Sequence, residues 1–218
     1  MIVAMDGPAG CGKSTIAKLL SQRMGFLYLN SGNLYRAISY AAIARGLGID
    51  DREALIVCAR SLSLAYDADG AVLIDGIRRT GELRSAAVDA IVAQVSAIPA
   101  IRSVVDAVVR AAAEGRDVVV EGRDMTTVVF PDADVKFYID ASVEERARRR
   151  FEQKSSEQSL PEILANILMR DEIDRNKAVG ALKIGRGAIY LDTSGLTIEE
   201  VYETVYSKIL HVREGHGQ

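Results

Sequence analysis

Cysteine, histidine and proline are all scarce in this 218-residue chain, and each scarcity excludes something. The two cysteines, Cys11 and Cys58, lie far apart and form neither a CxxC nor any metal-ligand spacing. That argues against a disulfide framework or a zinc site and suits a reducing compartment. The two histidines, His211 and His216, fall in a glycine-containing polar tail that is expected to fray rather than supply acid–base groups. With four prolines, no repeat and no low-complexity run, nothing marks a flexible linker between separately folding units. No apolar run approaches the roughly 20 residues of a membrane helix. The amino terminus MIVAMDGPAG lacks a basic stretch followed by an apolar one, so a cytoplasmic protein is expected. An excess of one charge is missing too. The 27 Lys and Arg against 30 Asp and Glu give a net charge of −3, which argues against a surface built to coat nucleic acid or an anionic membrane. Any anion must be held locally.

What is present is an ordinary core composition, 49% hydrophobic and 26% charged, suited to one domain over residues 1–218. Five short apolar stretches read as buried strands: 2–6, 26–30, 117–121, 135–140 and 188–192. Near-continuous apolar runs of this kind suit a parallel sheet covered on both faces. Between them, Ile101, Val104, Val105, Val108, Val109 and Ala112 recur at helical spacing, ending at Gly115. Ser142 with Glu145 and Thr197 with Glu200 read as capping boxes. Alternating strands and helices predict an α/β fold with a five-stranded parallel sheet between helices. Residues 63–80 break the alternation: apolar and polar residues alternate around two Asp-Gly turns, predicting a small antiparallel insertion. The polar stretch 153–161 reads as the tip of a mobile flap.

Directly after the first strand comes GPAGCGKST, in which Gly7, Gly12, Lys13 and Ser14 satisfy GxxxxGK[ST] between a strand and a helix. Glycines let backbone N–H groups turn toward a polyphosphate, and the following helix adds its positive N-terminal dipole. The expected cradle for a nucleotide polyphosphate is Gly7, Pro8, Ala9, Gly10, Cys11, Gly12, Lys13, Ser14 and Thr15. Lys13 carries a point charge to the β- and γ-phosphates, and the Ser14 hydroxyl can ligate Mg²⁺. Cys11 sits at an unspecified position of the loop, as a small tolerated residue or as a redox-sensitive thiol near a helix N-terminus.

A phosphate loop alone serves switches, motors and kinases. The guanine-reading NKxD is not supplied by Asn176-Lys177-Ala178-Val179, and the DADG at 67–70 is a hairpin turn, which leaves small-molecule kinases. Five segments in order, GPAGCGKST, NSGNLYR (30–36), AIPAIR (97–102), EGRDMTTVVFPDA (121–133) and RDEIDRNK (170–177), resemble the motifs of bacterial cytidylate kinases. The resemblance implies a P-loop kinase fold with a monophosphate-binding insertion at about 31–100 and a short lid at about 150–175. It implies transfer from ATP to CMP or dCMP; a monomer is the expected state.

Phosphoryl transfer between two phosphates gathers several negative charges, so positioning and charge neutralisation dominate. Arginine suits this because its planar guanidinium grips phosphate oxygens bidentately and stays charged. By resemblance, Arg36 and Arg123 hold the CMP phosphate, and Ser31, Arg102 and Asp124 read the cytosine edge. Tyr35, Arg170 and Asp174 complete the acceptor site. The carboxylate at Asp124 makes physical sense, because cytosine offers an N4 amino donor where uracil presents an acceptor. Lys13, Arg123, Arg170 and Arg175 are the transfer residues so implied, and the resemblance also implies that Arg146, Arg149 and Arg150 meet ATP, Arg146 and Arg150 sharing one helical face. Arg148 reads as part of a solvated basic face. Arg170 and Asp174, also four apart, are expected to pair and point together toward a ligand, which the resemblance implies is the pentose. Glu121 ends a strand where an acid can hold water on Mg²⁺.

Four positions depart from the family pattern. Asn30 replaces an aspartate, Thr126 a glycine and Ala93 a serine that can touch the ribose. Lys177 replaces an arginine, keeping the charge but losing bidentate geometry. Two other readings remain open: another small-molecule kinase, such as a UMP/CMP, deoxynucleoside or shikimate kinase, and a nucleotide-binding module without transfer activity.

Overall fold

The computed structural model describes residues 1–153 and 158–215. In chain order these form β1 (Ile2–Asp6), α1 (Lys13–Met24), β2 (Leu27–Asn30), α2 (Ser31–Ala44) and α3 (Arg52–Ser61). Next come β3 (Leu64–Tyr66), β4 (Val72–Ile74), β5 (Ile77–Arg78), α4 (Ala86–Ser96) and α5 (Pro99–Ala113). Then follow β6 (Val118–Glu121), β7 (Val135–Asp140), α6 (Val143–Glu152), α7 (Leu160–Arg175), β8 (Ile189–Asp192) and α8 (Ile198–Gly215).

The apolar runs become one five-stranded sheet in the order β2-β6-β1-β7-β8, parallel throughout. Alternation along the strands divides the core. Ala4, Val118 and Val120 face one way, onto Leu34 and Ile38 of α2 and Ile101, Val105 and Val109 of α5. Val3, Met5, Val119 and Phe137 face the other, onto Ile16 and Leu20 of α1 and Tyr202 and Val205 of α8. With both faces covered, every described side chain of β6 is buried, which is why that strand reads VVVE without polar interruption.

The predicted insertion is a three-stranded antiparallel sheet, β3-β4-β5. Asp75 and Gly76 join β4 to β5 with φ of 50° and 78°, the left-handed pair that a two-residue hairpin turn requires. At the other turn Asp67 Oδ1 accepts from Asp69 N and Ala71 N, both at 2.9 Å. A Cβ at Gly70 would overlap the Tyr28 carbonyl, so this turn closes directly onto β2.

The boxes behave differently. Thr197 and Glu200 cap α8 reciprocally. At α6 only half forms: Ser142 Oγ accepts from Glu145 N at 3.1 Å, while the Glu145 carboxylate turns to Arg148 and Arg149. A third box, Ser159 with Glu162, starts α7 inside the stretch read as a flap. Of that stretch, residues 154–157 lie outside the described residues. His211 is on α8 rather than in a fraying tail, because its helical register continues to Gly215; His216 lies outside the described residues. Both cysteines are buried and free. Among the described residues no single helix is long and apolar enough to cross a membrane.

Candidate active site

The phosphate loop connects β1 to α1 through glycines at φ of 146° (Gly7), 83° (Gly10) and 95° (Gly12). Gly7 has a second constraint, since a Cβ there would overlap the Ile139 carbonyl of β7. Lys13 opens α1, is 4% exposed, and its Nζ donates to the Pro8 carbonyl at 2.7 Å, so the ammonium lies within its own loop. Cys11 Sγ is 3.4 Å from the same nitrogen. Ser14 and Thr15 are exposed at the mouth.

Two buried carboxylates flank this loop. Asp6, at the end of β1, accepts from Met125 N at 2.8 Å, Thr126 N at 2.7 Å and Thr126 Oγ1 at 2.7 Å. Burial pushes its carboxyl up to about 6 against the pull of those bonds. Both oxygens are occupied, so Asp6 pins the π-helical turn Met125–Val129 to the loop. Glu121, at the end of β6, accepts from Asn30 Nδ2 at 2.7 Å and from the Tyr28 hydroxyl, both on Oε1. Ser14 lies beside that same hydroxyl. Glu121 Oε2 receives none of these bonds and Ser14 is exposed, so the pair fits a cation held by a hydroxyl and, through water, by an acid.

Behind the loop, Arg102 of α5 and Asp124 form an ion pair that is 1% and 2% exposed. Arg102 Nη1 also donates to the Ser96 carbonyl at 3.0 Å, and its guanidinium lies 5.5 Å from the centre of the Tyr35 ring. Ser31 Oγ donates to the Glu121 carbonyl at 3.0 Å, at the end of β6 that leads into Asp124. Gly180, at φ 68°, closes the far side, where a Cβ would overlap both Arg102 and Asp124. Arg102 Nε, the Tyr35 hydroxyl and Asp106 Oδ1 are buried without a partner in hydrogen-bonding geometry among the described residues. Burial, with Asp124 nearby, raises the Asp106 carboxyl to about 6. These buried polar groups form one cluster within an otherwise apolar layer.

A second cluster is cationic. Arg36 Nη2 and Arg170 Nη1 both donate to Asp89 Oδ1, at 2.6 Å and 3.3 Å, and Arg150 Nη2 stands 3.8 Å from Oδ2. Arg123 Nε donates to Asp174 Oδ2 at 2.7 Å, and Lys177 Nζ to Asp174 Oδ1 at 2.6 Å. Burial alone would raise the Asp174 carboxyl; Arg123 and Lys177 hold it well below the usual carboxylate range.

Some expectations are corrected by this arrangement. Arg170 and Asp174 do not pair with each other, because each finds a partner from another element, Asp89 and Arg123 respectively. Arg146 is 1% exposed and fully engaged: two bonds to Asp171 at 3.1 and 2.7 Å, one to Ala141 O and one to Ala9 O. It is a strut under the phosphate loop. Its neighbour Arg149 lies over the loop instead, bonding Thr193 O at 2.6 Å and Thr193 Oγ1 at 3.1 Å with Cys11 O 3.5 Å away. Arg175 stands apart, its side chain 57% exposed and 3.8 Å from Asp171. Arg148 is exposed between Glu145 and Glu152, as expected. Sequence reading missed Asp6, Asp89, Asp106, Asp171, Gly180 and Thr193; of these Asp6 directly precedes the phosphate loop and Asp171 lies within RDEIDRNK, while the others lie outside the motifs.

The family model described as cytidylate kinase matches residues 3–211. The chain belongs to the cytidylate kinase family. It is 42% identical over 210 residues to the cytidylate kinase of Caldanaerobacter subterraneus subsp. tengcongensis, covering 95% of this chain and 93% of that protein. To the cytidylate kinase of Symbiobacterium thermophilum it is 43% identical over 212 residues, covering 94% of each. Among solved structures, an uncharacterized protein from Eubacterium ventriosum superposes with a TM-score of 0.51 at 11% identity over 96% of this chain and 98% of that one, a likeness of fold alone.

Each departure of this chain from the family pattern has a local setting. Asn30 does two jobs that aspartate could not combine: Oδ1 caps α2 at Asn33 N, 3.1 Å, while Nδ2 donates to Glu121. Thr126 adds the hydroxyl bond to Asp6. Lys177 is buried against Asp174, and burial lowers its ammonium from the ordinary value. Ala93 is buried on α4 and offers no hydrogen-bonding side chain.

Proposed function

We infer that this protein transfers the γ-phosphate of ATP to CMP or dCMP, giving ADP and CDP or dCDP. The observation that carries this reading is the buried Arg102–Asp124 pair, its Asp124 just beyond β6, the strand that pairs with β1 from which the phosphate loop leaves. In this reading the loop from Gly7 to Thr15 wraps the ATP phosphates with its N–H groups, and Lys13 leaves the Pro8 carbonyl for the β- and γ-phosphates. Arg149 and Arg150 reach the donor from α6, and Arg146 supports them from below. Arg36 and Arg123 hold the CMP phosphate and Arg170 closes on the transferring group from α7; Arg175 joins only if its exposed guanidinium swings inward. A CMP phosphate oxygen attacks the γ-phosphorus as the bond to the β-phosphate oxygen of ADP breaks. The attacking oxygen is already anionic, so no base is needed.

Ser14, with Glu121 acting through water, suits Mg²⁺, which when bound neutralises charge on the β- and γ-phosphates. Asp124 accepts from the cytosine N4 amino group, Ser31 and Arg102 meet the remaining edge, and Tyr35 packs against Arg102. Asp174 approaches the pentose. Residues 31–100 form the acceptor-binding insertion and about 150–175 the lid, whose closure excludes water. We propose that the protein works as a cytoplasmic monomer, without nucleic acid or membrane partners. ADP release measured with CMP, dCMP, UMP and shikimate as acceptors tests the reading. Turnover confined to CMP and dCMP is expected. Fast UMP or shikimate turnover with little CMP activity would overturn it, as would ATP binding without acceptor-dependent ADP release.

A further inference from the structure

Asp89 of α4 belongs to none of the motifs above, yet three arginines given phosphate roles converge on its carboxylate. They come from different elements, Arg36 from α2, Arg150 from α6 and Arg170 from α7. One carboxylate therefore joins the insertion to both lid helices. Both Nη groups of Arg36 are engaged in this state: Nη2 donates to Asp89 at 2.6 Å and Nη1 to the Leu83 carbonyl at 2.8 Å. A phosphate that grips both Nη groups must share them with these partners or displace them.

The electrostatics point the same way. Arg170 is pushed down to about 10 by burial and by the like charges of Arg123, Arg150 and Arg36, with Asp89 opposing them. Burial would raise the Asp89 carboxyl, but Arg36, Arg170 and Arg150 hold it below the ordinary value, so it is ionised at neutral pH. A guanidinium binds a carboxylate or a phosphate through the same parallel N–H groups. The two anions compete for Arg36, and once a phosphate is seated the remaining carboxylate repels it.

We propose that Asp89 is the internal counter-ion of the acceptor-phosphate subsite, holding the arginine trio together in the free enzyme and yielding Arg36 to the incoming nucleotide. It thereby sets the affinity for that phosphate, keeping it weaker than the arginines alone would give and letting the product leave. The inference rests on the reading that Arg36 holds the CMP phosphate.

Calorimetric binding of CMP and of cytidine to the full-length protein, without ATP, tests it. Asp89→Asn keeps the shape and removes the charge. CMP is expected to bind about three- to tenfold tighter, with the gain shrinking as salt is added, while cytidine binding stays unchanged. Asp89→Ser, a second neutral variant, is expected to tighten CMP binding in the same direction should the first fold poorly. Unchanged or weaker CMP binding in both variants would overturn the counter-ion role and leave Asp89 a scaffold residue. Arg36→Ala separates the two levels. If it weakens CMP binding while the Asp89 variants do not tighten it, only this proposal fails; if it leaves CMP binding intact, the assignment of Arg36 fails as well.

Discussion

At Asp6 two opposing effects meet in one side chain: burial raises its carboxyl to about 6, and donors from Met125 and Thr126 pull the other way. An unfolded aspartate titrates near 3.8. The contribution of Asp6 to stability is therefore fullest below that value and is lost as pH rises through about 6. The Thr126 hydroxyl favours the ionised form, so Thr126→Val is expected to cost about 1–3 kcal/mol and to cost more at pH 8 than at pH 5. Urea unfolding at the two pH values checks this, and an equal loss at both would show the bond to be indifferent to charge. Asp124→Ala acts on function and fold together. It is expected to lower kcat/KM for CMP and narrow the preference over UMP, and to destabilise by about 3–5 kcal/mol because Arg102, 1% exposed, is left unpaired. An unchanged CMP/UMP ratio would remove the base-reading role.

Among elements, apolar runs located all five strands of the parallel sheet to within a residue; the central β1, β6 and β7 are buried on both faces and cannot hide their composition, while β2 and β8 at the sheet's edges stay short apolar runs. The hairpin was legible from its Asp-Gly turns for a similarly local reason. Helix α6 shows where local reading stops. Spacing puts Arg146 and Arg150 on one face, but which arginine reaches the loop depends on Asp171 of α7 and Thr193 after β8, neither adjacent in sequence. The site divides in the same way: residues inside the phosphate-loop and GRD motifs were legible, whereas Asp89, Asp106 and Gly180 matter only through partners on other elements. The strut can be tested directly. Arg146→Met leaves Asp171 charged at 2% exposure and is expected to cost about 3–5 kcal/mol in thermal unfolding. Adding Asp171→Leu is expected to recover much of that loss, and no recovery would mean that the bonds to Ala9 and Ala141 dominate.

For the whole molecule, the insertion, the lid helices and the phosphate loop meet through charged side chains rather than an apolar interface, an arrangement suited to motion gated by anions. Hydrogen exchange with CMP and a non-hydrolysable ATP analogue bound together is expected to slow most in 86–96 and 143–153 and in 158–175, with little change in the already buried sheet. Uniform slowing across the chain would argue against a lid.

The strand order carries a further consequence. The phosphate loop leaves β1 and the acceptor helix α2 leaves β2, with β6 alone between them. Two lateral steps of a hydrogen-bonded sheet, about 10 Å, thus separate the two departure points. That spacing is a ruler made of backbone, indifferent to which side chains decorate it. Hairpins can lengthen and helices can drift at the periphery while donor and acceptor are still presented at the same pitch.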